Sequence, residues 1–582
     1  MRWAVLCLGV LLGLGLYVVY AQSPGTCSDW LAVNNGAFGM GTGGDSDYSG
    51  EEGFEVLVFG NRLYVGMEAD NIYGARLWRT KSSLTVPTGQ SDWEEVVADS
   101  SGKPFGVANI TQNDHIDSLA ELNGYLYVST ANGGSSTYGT RIFRTATGNP
   151  YATSPSDWSD AIAAYGAGFG DVNNTNFKDM QVFGGWLCGG TQNWETGAQV
   201  WCTSDGITWT QKNNGGFGTS GNVTTTVEVW SGYVYTNALY FGAQDTGANR
   251  NDSSDDVARL FRTTDLSGTP TWTQVYTGTA GSFRLDILGE LNSYLYISVR
   301  SSGGIVILRS SSGDAGSWTQ VNTSGMDNNA HNIGAVVDGA TVYNGALYVA
   351  VSNTSTGLEL WRTTGTLQGG GPLVDWNQVG GSVLGDANNI YSELIPFNGY
   401  LYAWTSNYTS GQRVLRTKCP LCQSQNINGT GSYSFSGVGA VITFTVENLT
   451  SVEVCVYPDA FPTGQTSGKP VKRHYAITPA PADGTFTATL TLSYTDDEFT
   501  ASDIADENTT YLTRWTGSAW SDCPSGNRSW DTVANTVTCS GVISFSTWAI
   551  AGSGASPSAV RLTSFQARAR RNVWPDLFRR QR

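Results

Sequence analysis

Between Leu63 and Thr417 the chain repeats one pattern seven times: an apolar strand centred on Tyr, a polar turn, then a second strand closing on Arg. The copies are Leu63-Tyr64-Val65 with Leu77-Trp78-Arg79, and Leu126-Tyr127-Val128 with Ile142-Phe143-Arg144. Next come Leu239-Tyr240-Phe241 with Leu260-Phe261-Arg262, and Leu295-Tyr296-Ile297 with Ile307-Leu308-Arg309. Leu347-Tyr348-Val349 with Leu360-Trp361-Arg362 and Leu401-Tyr402-Ala403 with Val414-Leu415-Arg416 complete the set. The third copy departs from the rule, with Cys188 and Cys202 where its sisters carry Tyr and Arg.

Each unit opens with a strand that closes on a tight turn, such as Leu122-Asn123-Gly124 or Phe397-Asn398-Gly399. Asn-Gly pairs supply the positive φ that a two-residue hairpin needs. A last element carries an anchoring Trp: Trp93, Trp158, Trp209, Trp272, Trp318 or Trp376. Four short strands recurring every ~50 to 60 residues predict the blades of a β-propeller. The seventh unit lacks a Trp strand, but Ser28-Asp29-Trp30-Leu31-Ala32-Val33 precedes the first. That segment is expected to become the outer strand of blade seven and close the ring, leaving no open sheet edge.

Past Ser424 the pattern changes. A Gly/Ser/Asn-rich stretch over 424–432 reads as a linker, and alternating strands over 433–552 read as a β-sandwich. The expected fold class is therefore all-β: a seven-bladed propeller over 22–423 with N-terminal strand closure, then a sandwich. The apolar run from Met1 to Ala21 reads as a secretory signal peptide. The Arg-rich tail over 553–582 is expected to be disordered, and no further segment has the ~20 apolar residues of a membrane helix.

Charged residues make up only 14% of the chain, against a usual ~25%, and the net charge is −17. That charge argues against nucleic acid, which needs a basic face. Eight of the 9 cysteines lie beyond Cys7 in the leader, an even number that suits an oxidising compartment. Cys188 with Cys202, Cys523 with Cys539, and Cys27 with Cys419 are the expected bridges. Cys422 and Cys455 remain without an assignment. The expected location is extracellular or at the cell surface.

Thr203-Ser204-Asp205-Gly206-Ile207-Thr208-Trp209 and the Ser312–Trp318 segment resemble the Asp-box turn of sialidase-type propellers, each one residue shorter. The 511–548 segment resembles an accessory domain near the C-termini of secreted bacterial surface proteins. The Asp-box resemblance implies a turn-stabilising role for Asp205 and Asp314. It does not bring sialidase chemistry: that would need three convergent arginines and a Tyr/Glu pair, whereas nearly every propeller Arg belongs to the repeated Arg-Thr strand and Arg284 is the nearest to an outlier.

Propellers bind ligands where the loops entering their innermost strands converge. Those loops hold Asn113, Asp114, His115, Asp117, Asn328, His331, Asp386 and Asn388, the candidate ligand-binding residues. Asp45, Asp47 and Glu51 form a candidate Ca²⁺ loop, since hard cations collect carboxylate oxygens. Glu55, Asp117, Asp179, Asp286, Asp338 and Glu393 fall at near-equivalent inner-strand positions and predict an acidic ring around the channel. No catalytic residue is assigned. The expected function is non-enzymatic binding of a glycan or an extracellular protein at the propeller mouth. The alternatives are an extracellular glycoside hydrolase or polysaccharide lyase, and a structural component of a surface layer or filament.

Overall fold

The computed structural model describes residues 30–553 except 40–52, 61, 70–73, 82–86, 88, 98–104, 106–112, 133–137, 146–156, 219–224, 248–253, 302, 335–338, 344, 380–383, 385, 399, 418–420, 436–437, 458–460, 463, 465–467, 483, 495–497, 500–501, 503 and 505, and the side chains of 53, 54, 421 and 422. The expected signal peptide, the tail beyond 553, Asp338 and the Cys27–Cys419 pair lie outside the described residues.

Seven antiparallel units follow one another along the chain, and in all but the seventh the strands are hydrogen-bonded in sequence order. Blade 1 is Gly53–Phe59, Arg62–Met67, Arg76–Thr80 and Trp93–Glu95. The innermost strands of blades 2 to 5 are His115–Leu122, Asn176–Phe183, Thr226–Tyr235 and Ser282–Leu291. Blade 6 splits its inner strand into Asn332–Gly334 and Ala340–Tyr343, and blade 7 opens with Tyr391–Phe397. The outer strand of blade 7 is Trp30–Ala32, paired antiparallel with Arg413–Thr417 through Trp30↔Thr417 and Leu31↔Arg416. The ring closes as the sequence predicts.

The outer-strand tryptophans explain why that segment is the right one. Each indole N–H donates to a main-chain carbonyl of the preceding blade: Trp93 to Val33 at 2.8 Å, Trp158 to Val96 at 3.1 Å and Trp209 to Ala161 at 3.2 Å. Trp272 to Lys212, Trp318 to Val275 and Trp376 to Val321 continue the series. Every acceptor lies three residues past the previous Trp, and Val33 stands three past Trp30. Trp30 therefore occupies the outer-strand register of the other blades.

A second device fills the wedge between blades. In the loops entering blades 1 to 4, Phe38, Phe105, Phe169 and Phe217 adopt left-handed backbone, with φ of 52°, 56°, 60° and 62°. Each ring stacks on a third-strand aromatic: Trp78, Phe143, Trp201 and Phe261, at centroid distances of 4.3 to 4.5 Å. The outer-strand Trp meets the same Phe edge-on, as Trp158 does at 5.0 Å. A left-handed non-glycine residue costs about 1–2 kcal/mol. Two aromatic pairs return about 0.5–1.5 kcal/mol each beyond burying the ring, so packing outweighs the backbone strain.

The repeated Tyr and Arg face each other across the second and third strands, as Tyr64↔Arg79 and Tyr127↔Arg144 do. Arg79 donates to the Tyr64 hydroxyl at 3.0 Å. In four blades the arginine also reaches the following blade: Arg144 to Asp205 O, Arg262 to Ser312 O, Arg309 to Gly365 O and Arg416 to Pro87 O. Cys188 and Cys202 occupy the same register and are disulfide-bonded. With no arginine there, Lys212 Nζ makes the link to the next blade, donating to Gly268 O at 3.2 Å.

Beyond Thr417 lie a six-stranded and a five-stranded sheet, which share one hydrophobic core. Val454, Ile477 and Leu512 of the first sheet meet Ile442, Leu490 and Val537 of the second in that cluster, which continues into Tyr348 and Leu401 of blades 6 and 7. The disulfide between Cys523 and Cys539 ties the two sheets together. The segment read as a linker is partly strand: Leu421–Asn426 pairs with Ser451–Tyr457 and sets Cys422 opposite the disulfide-bonded Cys455. Its small polar residues mimic a linker in composition, but their backbone groups join the ladder.

Deleting residues 22–35 removes the Trp30–Ala32 strand, the Val33 acceptor and its ring contacts. The truncated protein should melt at lower temperature and associate in a concentration-dependent way, read by calorimetry and light scattering. A monomer of unchanged stability would contradict strand closure.

Candidate functional site

The predicted acidic ring does not face an open channel. Each described carboxylate of that ring is buried, and most reach sideways into the next blade. Glu55 Oε2 accepts from Leu119 N at 3.3 Å, Asp117 Oδ2 from Phe177 N at 3.2 Å and Asp179 Oδ2 from Gly232 N at 2.5 Å. Ser118 and Ser231 hydroxyls do the same for Met180 N and Ile287 N. Inner strands are bulged here, between Ile116 and Ser118, Lys178 and Gln181, and Val229 and Ser231. A bulge interrupts the ladder, and side chains of the neighbouring blade take over main-chain donors nearby. Asp286 is instead gripped by Arg284 Nε at 2.8 and 2.9 Å. Its burial pushes the carboxyl up from the ordinary range, against the pull of Arg284.

The Asn- and Asp-rich loops also serve the framework. Asp386 Oδ1 accepts from Asn388 N at 2.9 Å, while Oδ2 accepts from Asn407 Nδ2 and Ser410 Oγ. Blade 3 repeats the arrangement with Asp171, Asn173, Asn193 and Thr196. These bonds staple the loop entering a blade to the loop between its second and third strands. Asn113 is buried and donates to Thr130 Oγ1 and Gly139 O. Asn328 is an exposed left-handed residue. His331 is exposed and contacts Thr354 Oγ1 at 3.0 Å. Asp45, Asp47 and Glu51 lie outside the described residues.

Asp205 fulfils the turn role that the Asp-box resemblance implies, accepting from Ile207 N at 2.9 Å and Thr208 N at 2.7 Å. Slight burial pushes its carboxyl up, but these bonds outweigh that and hold it well below the usual carboxylate range. Asp314 pairs with Arg262 of the preceding blade.

Two groups do gather at the mouth. On the first, Ala69 N donates to Asp114 O and Ala75 N to Asn113 O, clamping blade 1 against the start of blade 2. His115 Nδ1 then lies 2.5 Å from Asp114 Oδ1, and its Nε2 lies 3.5 Å from Glu68 Oε1. One ligand atom from each of the three residues falls within 4.8 Å of the others. A mixed imidazole and carboxylate set suits a divalent transition ion better than calcium, which takes six to eight oxygens.

The second group spans blades 3, 4, 5 and 7. Lys178 Nζ pairs with Glu228 Oε1 at 2.7 Å, and Gln192 donates to the other Glu228 oxygen. Trp230 carries Lys178 Nζ at 3.9 Å and the Arg284 guanidinium at 4.0 Å from its ring, and its N–H donates to Gln244 Oε1. Arg300, directly across from Arg284 in the ladder, lies 5.6 Å from the Phe283 ring and 5.9 Å from the Tyr391 ring.

The sequence marks Asp114 and His115 as candidates and Arg284 only as an arginine outside the repeat, while Glu68, Gln192, Gln244 and Arg300 were missed. A signal for them was present. Counting four residues on from the repeated Tyr, or from Cys188, gives Glu68, Ala131, Gln192, Gln244, Arg300, Ser352 and Ser406. This position varies far more than the Tyr, which only Cys188 replaces, and it lies within one residue of the end of the second strand at the mouth.

No protein-family model and no functionally curated protein matches the chain. Among solved structures, a Trypanosoma rangeli sialidase with the inhibitor DANA is 11% identical, covering 88% of this chain and 93% of its own, with a TM-score of 0.34. A Penicillium chrysogenum alpha-L-arabinanase complexed with arabinobiose is 12% identical over 67% of this chain and 97% of its own, with a TM-score of 0.35. A GH43 endo-arabinanase from Bacillus licheniformis is 16% identical over 41% of this chain and 91% of its own, at 0.26. Superpositions this loose carry no argument about chemistry.

The loop carboxylates make a pH prediction. Hydrogen bonds to Asp205 and Asp386 outweigh their partial burial and lower both carboxyls. Their stabilisation is present above the unfolded value of about 3.9 and is lost as pH falls through the folded one. The D205A/D386A double variant should melt lower at pH 7 and lose less further stability than wild type between about pH 4 and pH 2. Parallel Tm-versus-pH curves would contradict this account.

Proposed function

We propose that the chain is a non-enzymatic exported protein that binds a glycan at the propeller mouth. The observation that carries this reading is how the channel carboxylates are used. Glycoside hydrolysis needs two carboxyl groups about 5 to 9.5 Å apart, free to exchange protons with the substrate. Here Glu55, Asp117 and Asp179 accept main-chain N–H groups, while Glu228 and Asp286 are held by Lys178 and Arg284. Freeing one of them would leave a buried donor or cation unpaired, at a cost of about 1–3 kcal/mol or more.

What the mouth offers is the chemistry of binding. Half-buried Phe283 and Tyr391 rings flank Arg300, while Gln192 binds Glu228 and Gln244, Lys178 and Arg284 gather around the Trp230 ring. Sugars are held by such a mixture of apolar ring faces and hydrogen-bonding groups. Export is supported by the disulfides at Cys188–Cys202 and Cys523–Cys539. Among the described residues no helix is long and apolar enough to cross a membrane.

The test is a glycan array followed by incubation of each bound polysaccharide with the protein. Binding without release of reducing ends or unsaturated products is expected. Turnover would favour the hydrolase or lyase reading, and concentration-dependent polymerisation without glycan binding would favour a structural component.

A further inference from the structure

Arg300 stands apart from the other charged groups at the mouth. Lys178 has Glu228 and Arg284 has Asp286, both within 3 Å. Arg300 makes no hydrogen bond or ion pair among the described residues, and its Nε is buried without a partner. Of the three cations around Asp286, Lys178 and Arg284 therefore each have a carboxylate in contact, and Arg300 acts on Asp286 only through its longer-range charge. A buried N–H of a charged group without an acceptor is costly, so such a group in a native fold calls for an explanation.

Its surroundings hold the guanidinium in place without satisfying it. Phe283 and Tyr391 flank it, and rings at these distances attract a cation but accept no strong hydrogen bond. The stem lies on Gly334 of blade 6, where an added Cβ would come within 2.9 Å of Arg300 Cγ. Gly334 has no positive φ to explain it, so its lack of a side chain serves the approach of Arg300. The position is the variable one four residues past the repeated Tyr, where no sister blade carries a basic residue.

We propose that Arg300 receives an anionic group of the ligand, a carboxylate or a sulfate ester, so that the glycan bound here is acidic. This rests on the mouth being the binding surface. Guanidinium is suited to the task because its planar fork meets two oxygens of such a group at once. The acceptor would satisfy the orphaned Nε–H and give the guanidinium a charge partner in contact, while the flanking rings exclude water.

Wild type, Arg300→Gln and Arg300→Lys are compared in two measurements. In the first, melting temperature is read with and without galacturonate, sulfate or glucose. Either anion should raise the wild-type Tm, glucose should not, and R300Q should lose the shift while R300K keeps part of it. In the second, neutral, uronate-containing and sulfated oligosaccharides are arrayed. R300Q should lose about ten-fold or more in affinity for the acidic arm, and the arm affected distinguishes carboxylate from sulfate.

Without anion, R300Q should melt no lower than wild type, because an unpaired cation is being removed. A lower Tm would make Arg300 a structural cation–π group and overturn the proposal. So would anion-induced shifts equal in wild type and R300Q. Equal binding of neutral and acidic glycans, unaffected by R300Q, would overturn the anion receptor but leave glycan binding intact. Anion shifts lost in R300Q with no glycan bound on any arm would keep the receptor and remove the glycan reading.

Discussion

Everything in this ring depends on how one blade grips the next. A blade alone is a small sheet with two apolar faces and cannot bury them by itself. Here the gap between the first four blades and their predecessors is filled by a loop phenylalanine pressed between third-strand and outer-strand aromatics. The indole N–H of the outer Trp fixes the angle by binding a carbonyl of the previous blade. A hydrogen bond contributes about 0.5–1.5 kcal/mol net, so neither device is large alone. Repetition around a closed ring makes them decisive, because each blade is held from both sides.

The same need for blade-to-blade contact decides what the polar residues can do. Near the axis there is little room for aromatic wedges, and the bulged inner strands leave main-chain donors to be satisfied. Carboxylates and hydroxyls of one blade meet the donors of the next. Farther out, Asp171 and Asp386 staple loop to loop. An acidic, Asn-rich chain is thus compatible with a mouth that has few free acids. Two departures from the framework remain, the Glu68–Asp114–His115 group and the unpaired Arg300, and Glu68 and Arg300 stand at the same strand position in blades 1 and 5.

The repeat was legible because strand pairing and the Tyr/Arg contact act within about fifty residues. Trp30 could be assigned to blade 7 because it keeps the Trp register of the other units. Cys188 and Cys202 were legible for the same reason, as substitutions at a known cross-strand position. The direction of Glu55, Asp117 and Asp179 was not, because a bulge turns a side chain without changing the alternation of the sequence. Glu68 meets His115 only through main-chain bonds between two blades, which no local pattern encodes. Arg300 was hidden by its similarity to the repeated arginines. The Leu421–Asn426 strand was hidden by a composition that suits linkers equally well.

The inner-strand carboxylates Glu55, Asp117 and Asp179 hold blade to blade, and ligand recognition as proposed falls to other side chains. Chemical denaturation of Asp179→Ala, with glycan affinity measured on the same preparation, tests it most directly. Losing the acceptor for Gly232 N should cost about 1–3 kcal/mol of stability and leave affinity unchanged. Unchanged stability with lost binding would place Asp179 among the ligand's contacts and contradict the account.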